Sequence, residues 1–210
     1  MNIQYYEAKN MPVVMIDDFY DEIAQEKIMQ ELLFLNNDSK KMNKTIDTGS
    51  AIDEHTKKPL KNNKGVFLHD VFVYREYSNI LTESSKRFFE ENIETHLKEK
   101  HKFFYYFSII NLYSTLVSYY EQSDYYRSHT DSAIITAIIW FYKTPKSFSG
   151  GNLIIEKDLE IECKKNRMVI FPSILEHEVT EVEMNSGVSD NNFGRFSITH
   201  LLTYSPQHKA

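Results

Sequence analysis

The chain has very little cysteine, glycine and proline, and it has no long hydrophobic run. Its single cysteine, Cys163, excludes an intramolecular disulfide framework and a zinc site built from cysteines. Six glycines and five prolines among 210 residues are too few for a collagen-like, linker-rich or low-complexity chain. No apolar run approaches the roughly 20 residues that a membrane span requires. The N-terminal residues lack the charged stretch followed by an apolar stretch that is typical of a signal peptide, so none is predicted. We therefore expect a cytoplasmic protein without a membrane partner.

The residues that are present favour one acidic, globular domain. Fourteen phenylalanines and fourteen tyrosines provide ample material for a packed core. The net charge of −6 argues against a protein that coats nucleic acid, so no nucleic-acid partner is expected. The length suits a single domain over residues 1–210, with helical support over about 1–102 and a β-rich core over about 103–205. The sequence leaves the oligomeric state open.

Two segments of the first half have the periodicity of amphipathic helices. In the first, apolar residues recur at intervals of three and four, at Ala24, Ile28, Leu32 and Leu35. Asp17 and Asp18 precede this helix and offer a cap. A second helix is expected over about 79–100. Between them, residues 36–65 carry seven lysines and four acidic residues without apolar periodicity, which predicts a basic loop that is either solvated or faces the substrate.

From Phe103 onward the pattern changes to short β-branched and aromatic runs separated by turn signals. The predicted strands cover residues 109–120, 125–129, 133–142, 152–156, 167–171, 176–182 and 194–204. Helices followed by a strand-rich half predict an α+β fold with a β-sandwich or barrel core. The aromatic run Phe103–Phe107 is expected to lie in that core.

One constellation of residues suggests chemistry. His129 and Asp131 stand two positions apart at the end of a predicted strand, and alternate residues of an extended backbone share a face. His177, on a separate strand, completes a set of two imidazoles and one carboxylate. Such a set leaves the opposite metal positions open, as in non-haem Fe(II) oxygenases, although it also holds zinc. A His-x-Asp pair alone is a weak motif, and a surface or capping histidine is the alternative interpretation of His129.

The order of four motifs resembles one known family. The first is a tyrosine-rich run that leads into His-x-Asp, at residues 120–131, and the second is a Gly-Gly turn at residues 150–151. The third is a segment with the distal histidine, at residues 166–179, and the fourth is a strand with a basic residue, at residues 194–199. Together they cover about residues 112–204. In this order they resemble the 2-oxoglutarate/Fe(II)-dependent oxygenases of the prolyl 4-hydroxylase-like type.

The resemblance implies a double-stranded β-helix, or jelly roll, with the N-terminal helices packed on one sheet. It also implies that His129, Asp131 and His177 hold Fe(II), so that metal affinity falls in acid as these ligands become protonated. The co-substrates would be 2-oxoglutarate and O2, with ascorbate as an optional reductant.

For the co-substrate, the resemblance implies that Arg195 pairs with the far carboxylate of 2-oxoglutarate. Thr199 lies four residues further along the same predicted strand, and the Tyr120 hydroxyl completes that pocket. Trp140 stands where many family members have a tyrosine that touches 2-oxoglutarate, so we expect that contact to be absent. The interval between the distal histidine and Arg195 is longer than usual, and residues 183–193 are interpreted as an inserted loop, a long turn in preference to a lid.

The implied activity is hydroxylation of an unactivated C–H bond with release of succinate and CO2. The first hypothesis for the substrate is a prolyl residue in a peptide or protein, and the second is a free amino acid or other small molecule. Tyr126 and Arg127 are candidate substrate contacts, although we favour a solvent-exposed Arg127. Leu201 stands where nucleic-acid dealkylases carry a second arginine, which argues against that activity. The presence of His129, Asp131, His177 and Arg195 together disfavours a non-catalytic binding protein. If the basic segment 36–65 borders the site, a carboxylate-bearing substrate is expected.

Overall fold

Two facing sheets form the centre of the protein, and helices cover the outer face of the larger sheet. The computed structural model describes residues 2–37, 41–44, 50–90, 93–188 and 192–206. The α-helices are α1 (Glu22–Asn37), α2 (Leu68–Val71), α3 (Asn79–Ser85) and α4 (Ile93–Lys100). The strands β1 to β15 are, in order, Asn2–Ala8, Met11–Asp17, Asn43–Lys44, Lys61–Asn62, Lys64–Phe67, Leu112–Tyr120, Tyr125–His129, Ile135–Phe141, Phe148–Gly150, Leu153–Ile155, Leu159–Ile161, Met168–Pro172, His177–Val179, Val182–Met184 and Arg195–Thr203. Within the described ranges, no helix combines the length and the apolar character that crossing a membrane requires.

The larger sheet has eight strands in the order β1-β2-β12-β8-β15-β6-β5-β3, and the smaller has five in the order β11-β10-β13-β7-β4. All seven residues of β8 are buried, because both faces of the larger sheet are covered. Ile138 and Trp140 belong to the core between the sheets, whereas Ile139 and Phe141 pack on the helical side. This arrangement confirms the predicted α+β jelly roll with helices on one sheet.

Helix α1 confirms the predicted amphipathic stripe but begins differently from the prediction. Its apolar stripe is fully buried against the larger sheet, at Ala24, Ile28, Leu32 and Leu35. The cap is Asp21, whose Oδ1 accepts a hydrogen bond from the Ala24 N–H at 2.8 Å, so the prediction of Asp17 or Asp18 was wrong. Asp17 instead ends β2, where it forms an ion pair with Arg167 on a distant segment.

The second predicted helix is interrupted, whereas the aromatic run places two of its rings in the core as expected. Instead of one helix over 79–100, the chain forms α3, a π-helical segment over Lys86–Glu90 and then α4. The aromatic run lies in a 3-10 helix over Lys102–Ile109. Side chains three positions apart are eclipsed in a 3-10 helix, so Phe104 and Phe107 share one face and are both buried in the core.

The basic segment is only partly a loop. Strands β4 and β5 pair with β7 and β6, so this segment contributes to both sheets. Lys61 and Asn63 are buried while Asn62 is exposed. Buried and exposed side chains therefore alternate as in any strand, but here the buried residues are polar. A search for apolar periodicity cannot detect such a pattern. Several of its charged residues lie outside the described ranges, namely Asp38, Lys40 and Asp47.

The predicted insert before β15 begins as a strand. Residues 182–184 form β14, which pairs with β9 in a separate two-stranded ladder. Residues 189–191 of the insert lie outside the described ranges, so the choice between a long turn and a lid stays a prediction.

The ion pair at the end of β2 is expected to stabilise the fold. The Asp17 carboxylate accepts hydrogen bonds from Arg167 Nε at 2.6 Å and Nη2 at 3.1 Å, and from Lys164 Nζ at 3.0 Å. The hydrogen bond from Arg167 holds the pKa of Asp17 below its ordinary value of 3.8. We expect Asp17→Asn to lower the free energy of unfolding by about 2 kcal/mol at neutral pH, as for other charge-assisted hydrogen bonds.

The pH dependence of that stabilisation has a definite sign. Because the folded-state pKa is depressed, the contribution of Asp17 is complete above 3.8 and is lost as the pH falls through the folded-state value. Urea denaturation of the wild type and Asp17→Asn should therefore give a difference that shrinks in acid. Asp158→Asn, in an exposed turn, is the matched control. A difference that is equal at neutral and acidic pH would show that the carboxylate charge is not responsible.

Candidate metal centre and co-substrate pocket

The jelly roll brings His129, Asp131 and His177 together between the two sheets. His129 ends β7, His177 begins β13, and these two residues are paired directly across the ladder. The Nε2 atoms of His129 and His177 lie 3.6 Å and 3.4 Å from the two carboxylate oxygens of Asp131. One ligand atom from each residue falls within 4.8 Å of the others, which is compact enough to surround a single ion.

Backbone carbonyls orient both imidazoles towards the centre of this cluster. His129 Nδ1 donates to the Arg127 carbonyl at 2.8 Å, and His177 Nδ1 donates to the Leu175 carbonyl at 3.0 Å. With Nδ1 protonated and engaged, each ring presents Nε2 as a lone-pair donor. This is the tautomer that a metal requires.

The protonation states also suit a metal. Burial, together with the nearby His177, lowers the pKa of His129 to about 4, so that its imidazole is neutral at neutral pH. Burial acts to raise the pKa of Asp131, but the interaction with His177, together with smaller contributions from His129 and the Thr136 hydroxyl, outweighs it and leaves that pKa below its usual range. Two neutral imidazoles and one ionised carboxylate are the donor set of non-haem Fe(II) sites. The residues therefore fit the iron that the sequence predicted.

Hydroxyl groups hold the Asp131 carboxylate in place. The Thr136 hydroxyl donates to Asp131 Oδ2 at 2.7 Å and contacts the Ser173 hydroxyl at 2.8 Å. The Asp131 N–H also donates to the Ser173 carbonyl at 3.0 Å. Thr136 and Ser173 are fully buried, so these bonds fix the carboxylate without competition from solvent.

Removing the Thr136 hydroxyl is expected to weaken metal binding. Outer hydrogen bonds to a ligand carboxylate typically contribute about tenfold or more to metal affinity, and we expect about tenfold for Thr136→Val. Anaerobic titration with Fe(II) measures the change. Thr136→Ser restores the hydroxyl and should restore most of the affinity, and equal affinities for Thr136→Val and the wild type would show that this hydrogen bond does not matter.

Because of a β-bulge in β7, the Tyr126 side chain lies beside the candidate metal ligands and the Arg127 side chain does not. Val179 pairs with Tyr126 while His177 pairs with His129, so β7 has one more residue than β13 in this interval. The extra residue breaks the strict alternation on which the Arg127 prediction depended. As a result the Tyr126 ring stacks on His129 at 3.6 Å between centroids, whereas Arg127 is exposed and lies over Tyr125.

Arg195 is almost completely buried at the start of β15. It is 1% exposed, and its Cζ atom lies 4.5 Å from the Tyr120 ring and 5.7 Å from the Trp140 ring. Among the described residues, neither its Nε nor its Nη1 has a hydrogen-bond partner, and the same holds for Trp140 Nε1. A buried cation with unused donors is costly unless an anion completes it. The carboxylate of a ligand such as 2-oxoglutarate would supply the missing negative charge and acceptors.

Gly151 provides space for the Arg195 side chain. Its φ is +67°, and a Cβ at this position would lie 2.6 Å from Arg195 Cδ. The Gly-Gly turn noted in the sequence therefore has a structural role, because a larger residue would both strain the backbone and displace the guanidinium.

The metal cluster opens into a cavity of about 80 Å³. Tyr120 and Thr199, both predicted from the sequence, line this cavity together with Tyr126. Its remaining wall is largely apolar, formed by Phe67, Leu116, Ile138, Val179 and Leu201. Such a wall excludes water from the space beside the metal ligands.

Sequence reasoning did not identify one further residue of this cavity, Lys61. It is 3% exposed and lines the cavity beside the three candidate metal ligands. Burial lowers its pKa to about 8, while the charge of Asp131 acts to raise it, so that Lys61 is still mostly charged at neutral pH. The charge of the segment 36–65 was the only available signal, and it did not distinguish Lys61 from the exposed lysines around it.

Comparisons with known proteins agree with this geometry. Residues 115–202 match the family model described as the 2OG-Fe(II) oxygenase superfamily. A PKHD-type hydroxylase from Crocosphaera subtropica is 33% identical over 85 residues, which are 35% of this chain and 38% of that protein. The matched segment thus spans well under half of this curated relative.

Two solved structures share the fold over most of both chains. A prolyl-4-hydroxylase from Pseudomonas putida has a TM-score of 0.56 at 13% identity, covering 92% of each chain. A viral collagen prolyl hydroxylase from Paramecium Bursaria Chlorella virus-1 has a TM-score of 0.51 at 16% identity, covering 90% of this chain and 94% of that one. The sequence match and the shared fold agree with the resemblance found in the sequence: residues 115–202 are similar to the 2OG-Fe(II) oxygenase superfamily, and the chain shares the fold of two prolyl hydroxylases.

Proposed function

We propose that this protein is a single-domain Fe(II)- and 2-oxoglutarate-dependent dioxygenase that hydroxylates an unactivated C–H bond and releases succinate and CO2. The observation that carries the proposal is the pairing of two sites in one core. His129, Asp131 and His177 form a metal-ligand cluster, and Arg195 offers buried, unused donors for a carboxylate. A simple binding protein has no need of both.

The roles of the residues follow from their surroundings. His129, Asp131 and His177 would hold Fe(II), which together with O2 and 2-oxoglutarate supplies the oxidising chemistry. Arg195 would bind the far carboxylate of 2-oxoglutarate through two parallel N–H donors. Tyr120, whose ring lies 4.5 Å from Arg195 Cζ, would link that pocket to the cavity that Tyr120 and Thr199 line and Arg195 does not. Ascorbate is an optional reductant in this scheme.

A prolyl residue in a peptide or protein is the first candidate substrate. The names of the relatives support it, since a PKHD-type hydroxylase and two prolyl hydroxylases are among the similar proteins. A separate groove lined by Lys58, Lys61 and Tyr125 shares Lys61 with the cavity wall and has a volume of about 550 Å³, which is room for a peptide segment. We place the reaction in the cytoplasm, without a nucleic-acid or membrane partner.

A free amino acid or other small molecule is the second candidate. The small cavity and its buried Lys61 favour this alternative, because an ammonium group in such a site suits a small carboxylate. Arg127 supports it less than the sequence indicated, since Arg127 is exposed and outside the cavity wall.

A mass-spectrometric screen tests the function and separates the two substrates. The protein is incubated with Fe(II), 2-oxoglutarate and either proline-containing peptides or free amino acids, and products heavier by one oxygen atom are sought. Succinate formation without substrate is the control for the enzyme class. Oxygen gained only by free amino acids would contradict the peptide proposal, and the absence of any succinate would contradict the dioxygenase proposal itself.

A further inference from the structure

We propose that Tyr126 is a positioning residue for the candidate iron ligand His129, and that a hydrogen bond from the hairpin over residues 51–60 holds Tyr126 in that role. Metal affinity then depends on a contact from outside the strands that carry the metal ligands. This inference rests on the proposed function and deepens it, because it assigns control of the same metal site to a segment that the sequence predicted only as a basic loop.

The Tyr126 ring lies flat against the imidazole of His129. The two ring centroids are 3.6 Å apart, and the ring planes differ by 11°. The His177 ring is also close to His129, at 4.3 Å between centroids, but it is tilted by 50°. The Tyr126 ring is therefore the parallel contact that defines the plane of the imidazole.

The hydrogen bond of His129 does not fix that plane by itself. His129 Nδ1 donates to the Arg127 carbonyl at 2.8 Å, which directs Nε2 towards the metal cluster. The angular preference of a carbonyl acceptor is broad, so the ring can still rotate about this bond. A stacked ring removes that freedom before the metal binds, and less ordering of the ligand is then required on binding.

The backbone is irregular at the point that produces the stack. Tyr126 and His129 are three positions apart, and in a regular strand their side chains would lie on opposite faces of the sheet. The bulge in β7 shifts the register against β13, and both side chains line the metal cavity. Bulges next to functional sites re-aim a side chain in this way. The stack therefore depends on a specific local feature and not on ordinary alternation.

The hairpin 51–60 holds the far end of the Tyr126 side chain. The Tyr126 hydroxyl accepts a hydrogen bond from the Ala51 N–H at 3.1 Å. Ala51 is itself held by Leu60, whose N–H donates to the Ala51 carbonyl at 2.9 Å. An antiparallel bridge between Ile52 and Pro59 closes the hairpin beside this pair. The donor to Tyr126 thus belongs to an ordered unit, 75 positions away in the chain.

The same hairpin connects the metal centre with the groove. The Leu60 carbonyl accepts a hydrogen bond from the Arg127 N–H at 2.8 Å, which anchors the base of the hairpin on β7. Lys58 and Pro59 line the groove, and residues 54–58 are exposed. A displacement of the hairpin would therefore reach His129 through the Tyr126 hydroxyl.

The test measures metal affinity and ligand geometry in the whole protein. Co(II) is the probe, because its visible absorption bands change with the arrangement of its ligands. Tyr126→Leu removes both the stacked ring and the hydroxyl, whereas Tyr126→Phe removes the hydroxyl alone. Ala51→Pro removes the N–H that the hydroxyl accepts. Glu54→Pro, in the exposed turn of the same hairpin, is the matched control.

Tyr126→Leu should bind Co(II) about tenfold more weakly than the wild type and should shift its visible bands, as expected for the loss of an outer contact to a metal ligand. Tyr126→Phe and Ala51→Pro should each weaken binding about threefold, the effect of one neutral hydrogen bond. Because both remove the same hydrogen bond, the double variant should bind no more weakly than either single variant. Glu54→Pro should match the wild type.

Wild-type affinity and an unchanged Co(II) spectrum in folded Tyr126→Leu would overturn the positioning role. Additive losses in the double variant, or an equal loss in Glu54→Pro, would overturn the link to the hairpin. If Tyr126→Leu does not fold, as judged by circular dichroism, the single and double variants of Tyr126→Phe and Ala51→Pro decide both points. A wild type that binds no Co(II) would contradict the proposed metal site itself, and with it the proposed function.

Discussion

Replacing Asp131 with alanine is expected to abolish the formation of succinate from 2-oxoglutarate. Asp131 provides the only charged ligand of the candidate metal cluster in the described residues, and both histidines face its carboxylate oxygens. Without it, a divalent ion is left with two neutral imidazoles. Because the metal is required for the chemistry, we expect a loss of about a thousandfold or more in turnover. His177→Ala should have a similar effect, since it also removes one of three ligands.

The matched controls use exposed residues of the same types. Asp158→Ala and His69→Ala alter an exposed carboxylate and an exposed imidazole, and both should leave succinate formation close to the wild-type rate. Far-ultraviolet circular dichroism and thermal unfolding establish that each variant is folded. Substantial succinate formation by folded Asp131→Ala or His177→Ala would contradict the assignment of the metal site.

Replacing Arg195 with methionine is expected to raise the KM for 2-oxoglutarate by about a hundredfold, which corresponds to the loss of one buried, charge-assisted carboxylate pair. The guanidinium has unused donors at Nε and Nη1, and its position depends on Gly151 and the Tyr120 ring. Fe(II) affinity in the absence of 2-oxoglutarate should change little, because Arg195 is not a metal ligand. This contrast separates co-substrate binding from metal binding.

Two further variants make the Arg195 experiment specific. Arg195→Lys keeps the charge but loses the planar pair of donors, so it should recover only part of the affinity. Arg127→Met removes an exposed arginine and should leave the KM for 2-oxoglutarate unchanged. A folded Arg195→Met protein with the wild-type KM would show that another group binds the far carboxylate.

The sequence contained enough information to predict the metal cluster. His129 and Asp131 are two positions apart at the end of a strand, and the later segment with His177 follows in the order seen in the family. Local geometry and chain order are both visible in a sequence, so these three residues and Arg195 could be named as candidates before the fold was known. The stripe of α1 was predictable for the same reason, because its period is local.

The features that the sequence did not reveal depend on contacts between distant segments. Tyr126 faces His129 because β7 has one more residue than β13, and that bulge is a property of the pair of strands. Asp17 does not cap α1 because the helix begins five residues later, at Glu22, and Asp17 pairs instead with Arg167, 150 positions away. Lys61 is buried only because its strand pairs with β7 at the edge of the metal cavity. Apolar periodicity carries no information on any of these.

The most direct measurement of the central claim is an anaerobic titration of the metal-free protein with Fe(II), carried out with and without 2-oxoglutarate. The geometry of His129, Asp131 and His177 predicts one ion per chain, with tighter binding when 2-oxoglutarate is present. Asp131→Ala should lose this binding, and Asp158→Ala should keep it. Binding of no Fe(II), or binding that is unaffected by Asp131→Ala, would contradict the claim that these three residues form the iron site.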